Sequence, residues 1–149
     1  MSKMTRLQVA IDVANGLQYI HEHTRPRVVH KDIKSSNIIL DSNMRAKIAN
    51  FGASKNWLQC HNNAHCWNSR LHCTRTKMDV FYFGVVLLEL ISRKEAIDED
   101  GNVLCTCAGR ILEGNEEEKA RKLREWVDNE LFLESCSMES KLNVVTEWI

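Results

Sequence analysis

The chain is poor in the residues that interrupt or staple a fold. A single proline, Pro26, in 149 residues leaves no proline-rich linker, and none of the six glycines forms a G-x-G. Six cysteines are too few to build a disulfide scaffold in a chain of this size, so they are expected to be thiols in a reducing compartment. Neither sign of charge is in excess. Twenty basic residues match twenty acidic ones, which removes any global field that would favour nucleic acid or an anionic membrane as an obligate partner. Long apolar runs are missing too. The longest, "VFYFGVVLLELI" from Val80 to Ile91, is too short to span a bilayer and carries Glu89. The start, "MSKMTRLQVAIDVANG", has no apolar stretch behind a basic one and so no secretory signal. A cytoplasmic protein without nucleic-acid binding or membrane insertion is expected.

What is present belongs to a globular protein. Apolar residues make up 44% and charged residues 27%, in a length that suits one domain with a real core. Thr5 and Gln8 form a T-x-x-Q capping box, and Leu7, Ala10, Ile11, Ala14 and Leu17 then recur at helical spacing towards His23. Pro26 ends that helix in a loop. Ile38 to Leu40 and Ala46 to Ala49 are short apolar segments around the turn formers of "DSNMR", which predicts a small hairpin. From Ser54 to Lys77 neither periodicity is present, and a loop is expected. Asp79 is placed to N-cap a helix over Val80 to Ile91, apolar all round and therefore expected in the core, ending in Ser92, Arg93 and Lys94. Glu116 to Phe132 predicts an exposed helix with Leu123, Trp126 and Val127 turned inward. Met138, Leu142, Val145 and Ile149 share one face of a last helical segment.

The sharpest polar cluster lies in "VVHKDIKSSNIIL", Val28 to Leu40, on the loop that feeds the hairpin. Asp32, Lys34 and Asn37 could bring a carboxylate, a cation and a neutral oxygen ligand to one place. Phosphoryl transfer uses such a set: a carboxylate to orient and deprotonate a hydroxyl, a lysine against phosphate charge, an amide oxygen on magnesium. The plain alternative is that Asp32 and Asn37 are ordinary loop residues and the lysines solvated charges.

"HKDIKSSN" resembles the protein-kinase catalytic loop H-R-D-x-K-x-x-N, with His30, Lys31, Asp32, Lys34 and Asn37 in register. Downstream, "IANFG" falls where that family carries D-F-G, and "DVFYFGVVLLEL" is similar to the opening of the large helix of the kinase C-terminal lobe. The wording is most similar to plant receptor-like serine/threonine kinases, in particular the LysM-domain type that responds to chitin-type oligosaccharides. The resemblance implies an α+β family fold, represented here by a mainly α-helical C-terminal lobe with a small β-hairpin and no N-terminal lobe. It implies a partial kinase domain over 1–149, cut at both ends, with an atypical activation segment at 54–77. By role, Asp32 would accept the substrate hydroxyl's proton, Lys34 approach the transferred phosphate, and Asn37 and Asn50 face magnesium. His30 would organise the backbone, and Asp79 would hold the catalytic loop through its amides. ATP and magnesium are the implied cofactors, and a receptor kinase or other signalling protein is the implied partner.

The pattern is also broken. "VAID", Val9 to Asp12, has aspartate where V-A-I-K needs lysine and lies in a helical pattern, so it is read as coincidence. Asn50 replaces the magnesium-holding aspartate with a neutral amide, a weaker ligand for a hard cation. Lys31 stands for an arginine whose fork it cannot reproduce. No A-P-E closes the 54–77 segment. There, Cys60, His61, His65, Cys66, His72 and Cys73 offer zinc-ligand chemistry without C-x2-C spacing, and a remade activation loop is the favoured alternative. Cys105 and Cys107 are expected to be free thiols in a loop. Two functions compete: a serine/threonine kinase catalytic fragment inactive as an isolated chain, and a non-catalytic pseudokinase module. A decayed gene product that folds poorly is a third outcome.

Overall fold

The computed structural model describes residues 1–25, 27–53, 55–56 and 69–131, with side chains described outside 53, 55–56 and 69–75. The chain separates into two compact units, Met4–Val86 and Met1–Lys3 with Leu87–Ile149. The described residues are mainly helical with short strand pairs, as expected. No described helix is long and apolar enough to cross a membrane.

The first unit opens with α1, Lys3–Gln18, extended by a π-turn over Tyr19–His23 in which Thr24 N–H donates to the Tyr19 carbonyl at 3.2 Å. The helix therefore starts before the expected capping box, and Thr5 lies inside it. Its buried residues are Arg6, Val9, Ala10, Val13 and Leu17, while Leu7, Ile11 and Ala14 are exposed. Ala10 and Leu17 are buried as expected, and the rest of the expected face is displaced towards Arg6, Val9 and Val13. Apolar residues lie on most sides of this helix, so two registers satisfy the same periodicity and tertiary packing decides between them.

The hairpin forms as its turn residues predict, with β2, Ile38–Leu40, antiparallel to β3, Ala46–Ile48, in the register Ile38↔Ile48 and Leu40↔Ala46. Asp41 caps the turn by accepting from the amides of Asn43 and Arg45. A second short pair joins β1, Val28–Val29, to β4, Lys55–Asn56. Helix α1 docks on the hairpin through two features. A Cβ added at Gly16 would lie 3.1 Å from Ile48 Cδ1, so glycine permits the close approach. Asp12, its side chain only 5% exposed, accepts from Arg45 Nε at 2.9 Å and Arg45 Nη2 at 2.7 Å, and also from the Ala46 amide and Gln8. The aspartate of "VAID" is thus a tether between helix and hairpin.

Helix α2 runs over Ser69–Ser92, contributing residues to both units. This overturns three expectations. Part of 54–77 is regular, because β4 and the first turns of α2 fall within it; residues 57–68 lie outside the description. Asp79 is not an N-cap but stands mid-helix, since its carboxylate is engaged elsewhere. The Val80 to Ile91 stretch is not buried all round: Val86 is in the core, but Val80, Phe81 and Tyr82 are exposed. Helix α2 does end at Ser92, as expected, with Arg93 in the left-handed region at φ 57°.

In the second unit, α3, Leu104–Ile111, and α4, Glu116–Trp126, pack around Leu104, Ile111, Trp126 and Val127. Leu123 packs against that cluster, so the inward face of α4 was read correctly, although the helix stops at Trp126 and a 3-10 turn, Asn129–Leu131, follows. Asn115 caps α4 by accepting from Glu118 N–H at 2.9 Å, ahead of three glutamates that suit the positive end of the helix dipole. Cys105 and Cys107 are free and half-buried within α3, not in a loop. The face expected over Met138 to Ile149 lies outside the described residues.

Gly16 generates a test. Alanine gains about 1 kcal/mol of helix propensity over glycine, which offsets mild crowding of Ile48, so Gly16→Ala is expected to be near neutral. Gly16→Val adds branched bulk against the hairpin and is expected to cost roughly 1–3 kcal/mol in urea denaturation.

Candidate active site: the loop from His30 to Asn37

The site is built around a buried carboxylate. Asp79 is 0% exposed and accepts three hydrogen bonds, from His30 N–H and Lys31 N–H, each at 2.8 Å, and from His21 Nε2 at 2.8 Å. Burial works to raise its pKa, yet the bonds from His21, Lys31 and His30 outweigh burial and hold the carboxyl below the usual range. It stays ionised. Lys31, tied at its amide, adopts φ 70°, a left-handed conformation that non-glycine residues seldom take.

His30 passes the constraint on. Its ring is fully buried, with Nδ1 accepting from the Asp32 amide at 3.3 Å and Nε2 donating to the Ala49 carbonyl at 2.9 Å. These bonds fix the neutral tautomer with hydrogen on Nε2. Phe51 stands edge-on to the ring at 4.8 Å between centroids. The loop is thereby joined to the end of β3.

The polar side chains converge on Asp32. Its carboxylate takes Lys34 Nζ at 3.0 Å and Asn37 Nδ2 at 2.9 Å, and Asn37 Nδ2 also reaches the Asp32 carbonyl at 2.7 Å. Lys34 first, then Asn37, holds the Asp32 pKa below its ordinary value, so the carboxylate is ionised near neutral pH. Asp32 remains about one-third exposed, open to an incoming hydroxyl. Asn37 is buried, and its Oδ1 accepts from Asn50 Nδ2 at 3.3 Å. The Ala49 amide donates to the Asn37 carbonyl at 2.8 Å, locking the two strand ends together.

His30, Asp32, Lys34, Asn37, Asn50 and Asp79 therefore occupy one connected network. Among the described residues no group of three or more His, Cys, Asp or Glu side chains is placed to hold a metal. The zinc candidates Cys60, His61, His65 and Cys66, and the side chains of His72 and Cys73, lie outside the description. Sequence reasoning missed His21 and the pair Asp12 and Arg45. The signal for His21 was its place at the end of an amphipathic helix just before the loop.

The carboxylate, lysine and asparagine on one loop form the kind of set that phosphoryl transfer uses. The chain belongs to the protein kinase family: the protein kinase domain model matches residues 1–137. Similar proteins include the LysM domain receptor-like kinase 3 of Medicago truncatula, 38% identical over 72% of this chain and 19% of that protein. The LysM domain receptor-like kinase 10 of Oryza sativa subsp. japonica is 39% identical over 75% of the chain and 20% of its own length. Protein LYK5 of Arabidopsis thaliana is 35% identical over 85% and 22%. The chain thus spans about a fifth of the length of these relatives.

Protein kinases work with ATP and magnesium. Magnesium asks for hard, charged oxygens in near-octahedral array. Asn50 presents an N–H, not a carboxylate oxygen, to Asn37 Oδ1, and the Asp32 carboxylate is engaged by Lys34 and Asn37. Asn37 and Asn50 therefore offer the ion neutral amides and no carboxylate.

Asp12 and Asp79 have folded pKa values below those of the unfolded chain, Asp12 chiefly through Arg45. Their stabilisation is complete above the unfolded value of about 3.9 and is lost as pH falls through the lower folded values. Urea midpoints are expected to hold from pH 7 to about 5 and to fall below about 4. Asp79→Asn should cost roughly 3 kcal/mol at pH 7, by weakening bonds to a buried, charged acceptor.

Proposed function

We propose that the chain is a receptor-like serine/threonine kinase module that keeps the hydroxyl-facing part of the phosphotransfer site and lacks its magnesium-facing part, and so acts as a pseudokinase that binds a signalling partner on the cytoplasmic side. The observation that carries this reading is the Asn50 Nδ2 to Asn37 Oδ1 hydrogen bond of 3.3 Å. A neutral amide satisfies a neutral amide where the reaction needs charge to hold a cation.

The remaining side chains support a defined chemistry on the other side. The ionised Asp32 could accept a hydroxyl proton, and Lys34 could face phosphate charge, in ATP-dependent transfer to serine or threonine. Bound magnesium would supply neutralisation of the developing phosphate charge. Phosphoryl transfer is almost entirely positioning and electrostatics, so a well-placed base does not replace that term.

A thermal melt separates the readings. With ATP held at a millimolar level, added magnesium is expected to leave the melting temperature unchanged. Binding at a hundredfold excess over Kd would add about 2.7 kcal/mol, a rise of several degrees. A magnesium-dependent rise of that size in the unaltered chain overturns the pseudokinase reading. In Asn50→Asp, which fits the same backbone, a magnesium-dependent rise is expected.

A further inference from the structure

We propose that helix α1 pairs antiparallel with α1 of a second copy of this chain, through the exposed stripe Met4, Leu7, Ile11 and Ala14. Beyond its first residue the exposed positions of α1 are Met4, Leu7, Ile11, Ala14, Asn15 and Gln18, and none of them is charged. A helix at a protein surface ordinarily turns a charged face to water. In a chain with 27% charged residues this helix does not. Its other face is committed to the core through Val9, Ala10, Val13 and Leu17, so α1 is apolar on both sides, the pattern of a helix covered all round. Its single acidic side chain, Asp12, is 5% exposed and is taken by Arg45, so it brings no carboxylate to the stripe.

The spacing points to what covers it. Met4, Leu7, Ile11 and Ala14 follow one another by three, four and three residues, the narrow seam of a two-stranded helix pair. The large side chains stand well out from the surface, with Met4 65%, Leu7 37% and Ile11 45% exposed. In an antiparallel pair centred at the level of Val9 the seam is its own complement. Leu7 meets Ile11 of the second copy, and Met4 meets its Ala14, a large side chain against a small one at each end. Gln18, which donates to Glu22 in its own chain at 3.3 Å, falls past the end of the paired stretch and traps no amide in the seam.

Charge sets the orientation. Helix α1 has no acidic residue in its first turn and no basic residue in its last, so neither end of its dipole is balanced within the helix. Antiparallel pairing places the positive end of each helix beside the negative end of the other, and it carries Glu22, exposed just beyond Gln18, towards the positive end of the second copy. Parallel pairing would set like ends together. The contact is isologous and closes under a two-fold axis, so it makes a dimer and not a filament. A single helix of 16 residues is about 24 Å long, which gives less than a standard interface and therefore a weak dimer.

The inference rests on α1 alone and not on the reading of the magnesium-facing side, so the two fail separately. The test is sedimentation equilibrium of the full chain, unaltered and as Leu7→Glu and Ile11→Lys, both at exposed positions. The unaltered chain is expected to dimerise with a Kd of roughly 10–500 µM, and each variant alone to raise that Kd at least about tenfold by burying unpaired charge in the seam. Mixed in equal amounts, the two variants are expected to regain association. The antiparallel register sets the introduced carboxylate against the introduced ammonium and keeps the other Leu7 against Ile11 layer intact, which a parallel pair does not. A chain that stays monomeric up to about 1 mM overturns the proposal, as does a dimer that neither variant weakens or a mixture that regains nothing. If either variant loses its cooperative melt, Met4→Gln in the outer layers decides: a Kd raised about threefold or more supports the seam, and an unchanged Kd removes it.

Discussion

The first unit depends on one buried charge. A carboxylate removed from water is stable only when donors replace its hydration, and Asp79 finds three of them on two different segments. That requirement ties the interior of α2 to the π-turn and to the catalytic loop at a single point. From it the rest follows in order. The amide of Lys31 is drawn into a left-handed conformation, the His30 ring is set beneath the loop, and its two nitrogens join Asp32 to Ala49. Each step consumes a polar group that would otherwise be stranded in the core.

A second constraint acts from the other side of the hairpin. Asn37 directly precedes β2 and Asn50 lies two residues beyond β3, so the pairing Ile38↔Ile48 sets their separation. Helix α1 holds that register in place through the Asp12 and Arg45 tether and the close approach at Gly16. The two asparagines therefore meet for reasons that have nothing to do with their own chemistry. At φ 63°, Asn50 also occupies a conformation in which asparagine is among the best-tolerated non-glycine residues. An asparagine at this position tolerates that backbone and brings no charge.

How much of this could be read in the sequence depended on whether the signal was local. The hairpin was legible because Asp41, Ser42 and Asn43 carry turn chemistry in their own side chains. The loop residues His30, Asp32, Lys34 and Asn37 were legible because their spacing is a motif, and the end of α2 because Ser92, Arg93 and Lys94 follow an apolar run. The buried face of α1 was not, since exchanging Leu7 and Ile11 for Arg6, Val9 and Val13 preserves the helical period. Nor was the start of α2, where Asp79 offers the right residue type for a cap while long-range bonds claim its carboxylate. His21 and Asp12 escaped for the same reason: their partners lie 58 and 33 residues away, and only the tertiary fold brings them together.

Two properties of the site, geometry and charge, have separate sources. Geometry comes from the carboxylate of Asp79, the ring of His30 and the register of the hairpin, all of which are satisfied internally and need no ligand. Charge comes from side chains nearer the surface, and among the described residues Lys34 and the ionised Asp32 carry it on the loop. These two groups lie 3.0 Å apart and both remain partly exposed. Catalysis by electrostatic preorganisation depends on fixed charge that is not already compensated. The scaffold of the loop is thus satisfied internally, whereas the partly exposed Lys34 and Asp32 pair is the part that a bound group would have to rearrange.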